Sequence, residues 1–360
     1  MSIVFFKPGS GGPRPARGRF LAQVLSLGAV VVGVGAGVGA PLARAQAVPA
    51  TSVASQWPQR PLKLVVGFPA GSSPDLMARA LAEPLARALG QPVVVDNRAG
   101  AGGNIAASLV AKATDGHTLG LMINGNLTTA RMLNPATPYD PFKDLAPVSL
   151  LATAPLVLVA PPAVAVTPAD AAAYIAQGRE AGSRWNYASP GVGTVGHIGM
   201  AMFNSRAGLS AVHVPYPGNP QVIAGLLGGQ IQLALLPPGQ AMPHVRAGAL
   251  RALGITSVVR STLVPEVPSL SETGVPGLRG FQLEVWNAVA APARMPAAHQ
   301  KQVAAALVDI VRSPDMREQL FRMGWSVAGT SPEGLARRMQ ADAAQMARII
   351  EAQQLHPQLR

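Results

Sequence analysis

Two small-residue loops carry the groups with the clearest chemical use. Phe68-Pro69-Ala70-Gly71-Ser72-Ser73-Pro74-Asp75 follows the apolar run 62–67, and Ala188-Ser189-Pro190-Gly191-Val192-Gly193-Thr194-Val195-Gly196-His197 follows Trp185-Asn186-Tyr187. Each loop ends an expected strand and opens an expected helix. Free backbone N–H groups gather at such a helix start, at the positive end of its dipole, and attract anions. Ser72, Ser73, Ser189 and Thr194 add hydroxyl donors without fixed charge. The pair of loops predicts two walls of one anion-binding cleft. Its candidate ligand-binding residues are Phe68, Ala70, Gly71, Ser72, Ser73, Asp75, Ser189, Gly191, Gly193, Thr194 and His197. Asn126 joins them from Asn124-Gly125-Asn126, the end of another expected strand. Asp75 would repel an anion, so its expected part is to cap the helix or orient the loop. His197, in the first turn of its helix, either faces the cleft or packs beneath it.

Other chemistries lack their residues. The six histidines form no HxxxH or HExxH pattern, so no metal site is expected. There is no GxSxG elbow and no evident pair of catalytic acids, so no catalytic residue is assigned. The chain has no cysteine, which excludes disulfides and thiolate chemistry. The Gly-rich stretch 100–104 lacks the lysine and Ser/Thr of a phosphate-binding loop, and its expected role is backbone packing near the cleft. No cofactor is expected.

The elements that position the loops follow from pattern. Apolar runs at 62–68, 93–96, 118–123, 149–160, 185–188, 211–214, 231–236, 250–256 and 283–290 read as strands. Several lack polar alternation, as strands of parallel sheets covered on both faces do. Between them lie helical stretches. Ser73-Pro74-Asp75, Thr167-Pro168 with Asp170, Ser313-Pro314-Asp315 and Ser331-Pro332-Glu333 share one start signal. It comprises a capping hydroxyl, a proline whose missing N–H costs nothing, and an acid in the first turn. The βα alternation makes this an α/β chain. At 360 residues it is long enough for two domains plus a leader.

Residues 1–47 read as a signal peptide. Lys7, Arg14, Arg17 and Arg19 form a basic start, 20–43 carries no charge, and Ala43-Arg44-Ala45 and Ala45-Gln46-Ala47 offer small-x-small cleavage sites. The net charge is +12; without the five positive charges of 1–47 it is +7. A basic surface helps attract an anion. No run of five or more Lys/Arg occurs, so nucleic acid is not an expected partner.

With these residues in place, the chain resembles a Bug-type receptor, the extracytoplasmic solute-binding protein of a tripartite tricarboxylate transporter. The resemblance rests on Trp57-Pro58, Phe68-Pro69, Gly71 and Asp75, on Leu89-Gly90-Gln91-Pro92-Val93-Val94-Val95-Asp96-Asn97-Arg98, on Gly100-Ala101-Gly102-Gly103-Asn104, and on Asp115-Gly116-His117-Thr118-Leu119. It continues through Tyr139-Asp140-Pro141, Asn186-Tyr187-Ala188-Ser189, His213-Val214-Pro215-Tyr216, Leu226-Leu227-Gly228-Gly229-Gln230 and Val275-Pro276-Gly277. It implies a two-lobed fold of the type II periplasmic binding protein class, with hinge strands crossing between α/β lobes. The expected lobes are 57–157 plus 285–355, and 158–284. It further implies a small carboxylate held between the lobes, membrane transporter subunits as partners, a periplasmic location and a monomer.

The departures from the family pattern bear on the ligand. Ser72 replaces a glycine, Pro190 a serine-like residue and Pro217 a common lysine. Acids often found where Ala201 and Leu236 stand are missing. The loss of acids argues against an amino-acid ligand and toward a carboxylate with an uncharged or aromatic tail. Two other roles fit the same sequence less directly: a sensor that reports its ligand to a signalling partner, and an enzyme on the same scaffold.

Overall fold

The computed structural model describes residues 57–162 and 171–355. The expected signal peptide and the helix start at Thr167-Pro168 with Asp170 lie outside the described residues. The strands, in chain order, are β1 (Leu62–Val66), β2 (Val93–Asn97), β3 (Thr118–Ile123), β4 (Leu145–Pro155), β5 (Val157–Ala160), β6 (Asn186–Ser189), β7 (Val212–Pro215), β8 (Leu233–Leu236), β9 (Arg251–Ile255), β10 (Glu284–Pro292) and β11 (Ser326–Val327). They form a six-stranded sheet in the order β11-β4-β10-β3-β1-β2 and a five-stranded sheet in the order β7-β6-β8-β5-β9. Each sheet with its helices makes one α/β lobe.

The sheets are mixed rather than parallel. β1 pairs parallel with β2 and β3, and β6 pairs parallel with β7 and β8. β10 runs antiparallel to β3 and β4, and β5 antiparallel to β8 and β9. The antiparallel members adjoin the passages between lobes, so they enter their sheet from the opposite side. The apolar run 149–160, which reads as one strand in sequence, is divided at Leu156: β4 lies in the first sheet and β5 in the second. Thr256 ties the crossings together. Its hydroxyl accepts from Leu156 N at 2.8 Å and donates to Leu283 O at 2.7 Å. The Leu283 N–H donates to Thr256 O at 2.9 Å.

Strand periodicity places the core on both faces of each sheet. In β1, Leu62, Leu64 and Val66 pack with Met77, Leu81 and Leu85 of the helix Ser73–Leu89, while Val65 packs on the other face with Val110 and Trp286. In β8, Leu233 and Leu235 join one core and Ala234 and Leu236 the other. The last helix, Pro332–Ala352, spans the lobes: Leu335 and Met339 pack into a first-lobe core and Met346 into a second-lobe core. Among the described residues, no helix is long and apolar enough to cross a membrane.

Candidate functional site

The first loop is a rigid turn built on Asp75, which is 1% exposed. Its carboxylate accepts from Gly71 N at 2.9 Å, from Asn97 Nδ2 at 2.9 Å and from Arg79 at 3.0 to 3.1 Å. Burial alone would raise its pKa. The bonds from Arg79, Gly71 and Asn97 outweigh burial and hold it below the usual carboxylate value. Asp75 therefore orients the loop, and Gly71, at φ 78°, takes the left-handed turn that glycine allows.

The helix begins one residue earlier than its Ser-Pro-acid signal suggests. Ser72 is the cap and Ser73 the first helical residue. Neither hydroxyl caps: Ser72 Oγ and Ser73 Oγ are buried without any protein partner. The same signal elsewhere is used as expected. Ser313 Oγ accepts from Met316 N at 3.4 Å and Ser331 Oγ from Gly334 N at 3.2 Å. Among the described start signals, only the one at the cleft leaves its hydroxyls free.

The second loop is also internally satisfied. Gly191 O accepts from Ser189 Oγ at 3.1 Å and Thr194 Oγ1 at 2.7 Å. Thr194 caps its helix, taking His197 N at 3.3 Å. His197 packs beneath the loop. Its Nδ1 accepts from Gly193 N at 3.4 Å, and its ring lies 4.2 Å from that of His213. His213 Nε2 in turn bonds Ser189 Oγ at 2.7 Å. Burial keeps both imidazoles neutral, with His197 lowered to about 4 and His213 to about 3, the latter helped by its neighbouring histidine.

Between the loops lies a cavity lined by Phe68, Ser72, Ser73, Pro74, Ile123, Leu156, Pro190, Thr194, Val195, Gly196, Asn219, Leu235, Pro237, Val285, Asn287 and Trp325. None of these residues is charged. The space free of atoms is about 470 Å³, part of it open to solvent. The lobes touch near the loops that border it. Thr129 Oγ1 donates to Gly193 O at 3.1 Å, and Gln240 Nε2 donates to Gly71 O at 3.1 Å.

Unpartnered buried polar atoms concentrate at this cavity. Those that line it are Ser72 Oγ, Ser73 Oγ, Asn219 Oδ1 and both amide atoms of Asn287, while His117, Asn124, Gln221 and His299 carry one each elsewhere. A buried polar atom left unpaired is costly, so such a group of them marks a place where a ligand or water completes the bonding. The first-turn amides of Ser73 and Asp75, and of Val195 and Gly196, have no acceptor within their own helices. A larger cavity, with about 1570 Å³ free of atoms, lies beyond the second loop and is lined by Gly100, Asn104, Ile105, Lys112, Gly193, Tyr216 and others. None of its lining residues has an unpartnered buried polar atom. It carries no comparable demand for a ligand.

The sequence candidates divide accordingly. Phe68, Ser72, Ser73 and Thr194 line the cavity; Ala70, Gly71, Asp75, Asn126, Ser189, Gly191, Gly193 and His197 do not. Ala70 is exposed at the loop tip. Asn126 holds the Gly-rich turn, donating to Gly102 O and Asn104 Oδ1 at 2.9 Å each. Of the departures from family pattern, Ser72 and Pro190 line the cavity, Pro217 lines the outer one, and Ala201 and Leu236 line neither. Leu235, one residue earlier, lines the cavity instead.

Sequence reasoning missed Asn219 and Asn287. Asn287 is the polar residue in the otherwise apolar stretch 285–291, and that interruption was its signal. β10 is fixed by a clamp of distant residues. Asn124 Nδ2 donates to Glu284 O at 3.1 Å, Arg338 bridges Glu284 and Asp342 at 2.9 and 2.7 Å, and Trp286 Nε1 donates to Asp342.

Comparisons with known proteins agree with this architecture. The sequence profile of the tripartite tricarboxylate transporter family receptor, TctC, matches residues 77–355. Protein BugT of Bordetella pertussis is 40% identical over 241 residues, 66% of this chain and 72% of BugT. The structure of periplasmic binding protein BugD superposes with a TM-score of 0.78 at 27% identity, over 84% of this chain and all of that one. Rpa4515 of R. palustris, solved with adipate, gives 0.79 at 29% identity, over 84% and 99%. With a two-lobed α/β fold, a cleft between the lobes and a matching profile over most of its length, the chain belongs to the tripartite tricarboxylate transporter receptor family.

Proposed function

We propose that this chain is an exported receptor that captures a small carboxylate between its lobes, taken as 57–157 plus 285–355 and 158–284, and delivers it to a membrane transporter. The observation that carries this reading is the convergence of unpartnered hydroxyl and amide groups on an otherwise apolar cavity between two helix starts. Such a site suits an anion held by neutral donors. The adipate held by the R. palustris neighbour is a carboxylate of this kind. The reading includes removal of residues 1–47, a periplasmic location and action as a monomer.

Each helix start contributes about 0.3 to 2 kcal/mol toward an anion. A micromolar receptor needs about 8 kcal/mol. Hydrogen bonds from Ser72, Ser73 and Asn287, together with burial of the ligand's carbon skeleton against Phe68, Leu235, Val285 and Trp325, supply the rest. With no acid in the lining, an ammonium group has no partner there, so the ligand body is uncharged.

Calorimetric titration of the chain lacking residues 1–47 with mono- and dicarboxylates, aliphatic and aromatic, tests the proposal. We expect at least one acid to bind at micromolar concentration and amines not to bind. Heat from no acid at all, with the protein folded, would sink it.

A further inference from the structure

Among the cavity's side chains with an unpartnered polar atom, Asn219 alone has a fixed hydrogen-bonding sign. The fixing starts across the cleft. Gly71 O can only accept, so the Gln240 side chain must turn its Nε2 toward it, at 3.1 Å. Gln240 Oε1 then faces Asn219 and accepts from Nδ2 at 2.7 Å. Asn219 has no freedom left: its remaining atom, Oδ1, is an acceptor, buried without a partner. The residue is 7% exposed and lines the cavity. Ser72 and Ser73 differ, because hydroxyls rotate to donate or accept, and Asn287 differs, because both its amide atoms are free to exchange.

A carboxylate offers acceptors only, so it cannot satisfy Asn219 Oδ1 and would be repelled by it. Resting on the carboxylate-receptor reading, we propose that the ligand carries, besides its carboxylate, a neutral hydrogen-bond donor, a hydroxyl or an amide N–H, which Asn219 Oδ1 accepts. Gln240 is the positioning residue that sets the polarity. The arrangement also sets the ligand's direction: the carboxylate lies toward Ser72, Ser73 and the helix starts, and the donor lies toward Asn219. A charged ammonium donor finds no carboxylate in the lining and is disfavoured.

Matched acids on one carbon skeleton test this: the plain acid and its derivatives that keep the carboxylate and add a hydroxyl, a carboxamide or an amino group, over several aliphatic and aromatic skeletons, titrated calorimetrically. On at least one skeleton the hydroxy or amide member binds tighter than the plain acid by about tenfold or more. Asn219→Ala narrows that gap to within about threefold. Gln240→Leu keeps Asn219 but lets its amide turn, and the gap narrows in the same way. Circular dichroism checks that both variants fold; a merely structural role for Gln240 would weaken all four acids alike. On every skeleton, binding of the plain acid equal to that of both donor-bearing members, preference for the amino derivative, or a gap that survives in either variant overturns the inference and leaves the receptor reading standing. Binding of no acid overturns both.

Discussion

Ser72 and Ser73 are cleft residues whose hydroxyls do nothing for the folded chain by themselves. Their removal should cost little stability, because an unpartnered buried hydroxyl contributes no net bond. Ser72→Ala and Ser73→Ala are expected to change unfolding free energy by less than about 0.5 kcal/mol while weakening carboxylate binding by about 1 kcal/mol each. Paired urea unfolding and calorimetry check this; a large stability loss would show that the hydroxyls serve the fold. The histidine pair beneath the second loop makes an opposite case, in which burial governs stability. Both rings are neutral in the fold, at about 4 and about 3, against 6.5 unfolded. Depressed values mean that the unfolded chain takes up protons first as pH falls. The stabilising contribution is thus complete above about 6.5 and is lost progressively toward pH 4 and below. The slope is at most about 1.4 kcal/mol per pH unit for each ring. Urea unfolding at pH 7, 6, 5 and 4 should show the decline, and His197→Phe should reduce it.

Helix starts show how one signal serves two ends. Ser331 precedes Pro332 and Glu333 and does not line the cavity, and its hydroxyl caps Gly334 N. Ser331→Ala should destabilise by about 1 kcal/mol, the ordinary value of a cap, with no change in ligand affinity. Thermal unfolding and calorimetry on this variant, compared with Ser72→Ala, separate a capping serine from a ligand-facing one. An unchanged midpoint in Ser331→Ala would argue that its 3.2 Å contact carries no energy. The strands were more legible than the caps. Every expected strand has its counterpart, because continuous apolar runs announce burial on both faces. The division at Leu156 was read through, although Pro155, directly before it, cannot donate to a strand ladder and is a signal for a break. It arises because Thr256 pins Leu156 while the flanking strands join different sheets. Strand β11, only two residues long, has too little pattern to be read.

Closure of the whole molecule depends on small residues where the lobes touch. A Cβ added at Gly125 would lie 2.7 Å from Gly193 O on the opposite lobe. Gly125 sits in the helix Asn124–Thr128 and does not occupy a left-handed conformation, so alanine there strains nothing within its own lobe. Gly125→Ala should fold normally yet hold the lobes apart. Weaker carboxylate binding, by about tenfold or more, and a larger radius in small-angle scattering are expected; unchanged affinity would show that the contact yields. Gly71 offers a contrast. An added Cβ there meets nothing within 4 Å, so a larger residue acts through its φ of 78° rather than by filling the pocket.

The sequence by itself determined the α/β alternation, the two cleft loops and the family, because each is written in contiguous residues: apolar runs, helix-start signals and short strings around them. It also singled out Ser72 and Pro190, both of which line the cavity. Tertiary structure alone decided which hydroxyls remain free, brought Asn219 and Asn287 to the same cavity, and left His197 and Asn126 bonded to the loops rather than lining it. These outcomes depend on partners far along the chain, such as Gln240 and Gly71, 169 residues apart. A hydrogen bond fixes the sign of an amide only when both ends are in place, and no local pattern records where the second end falls.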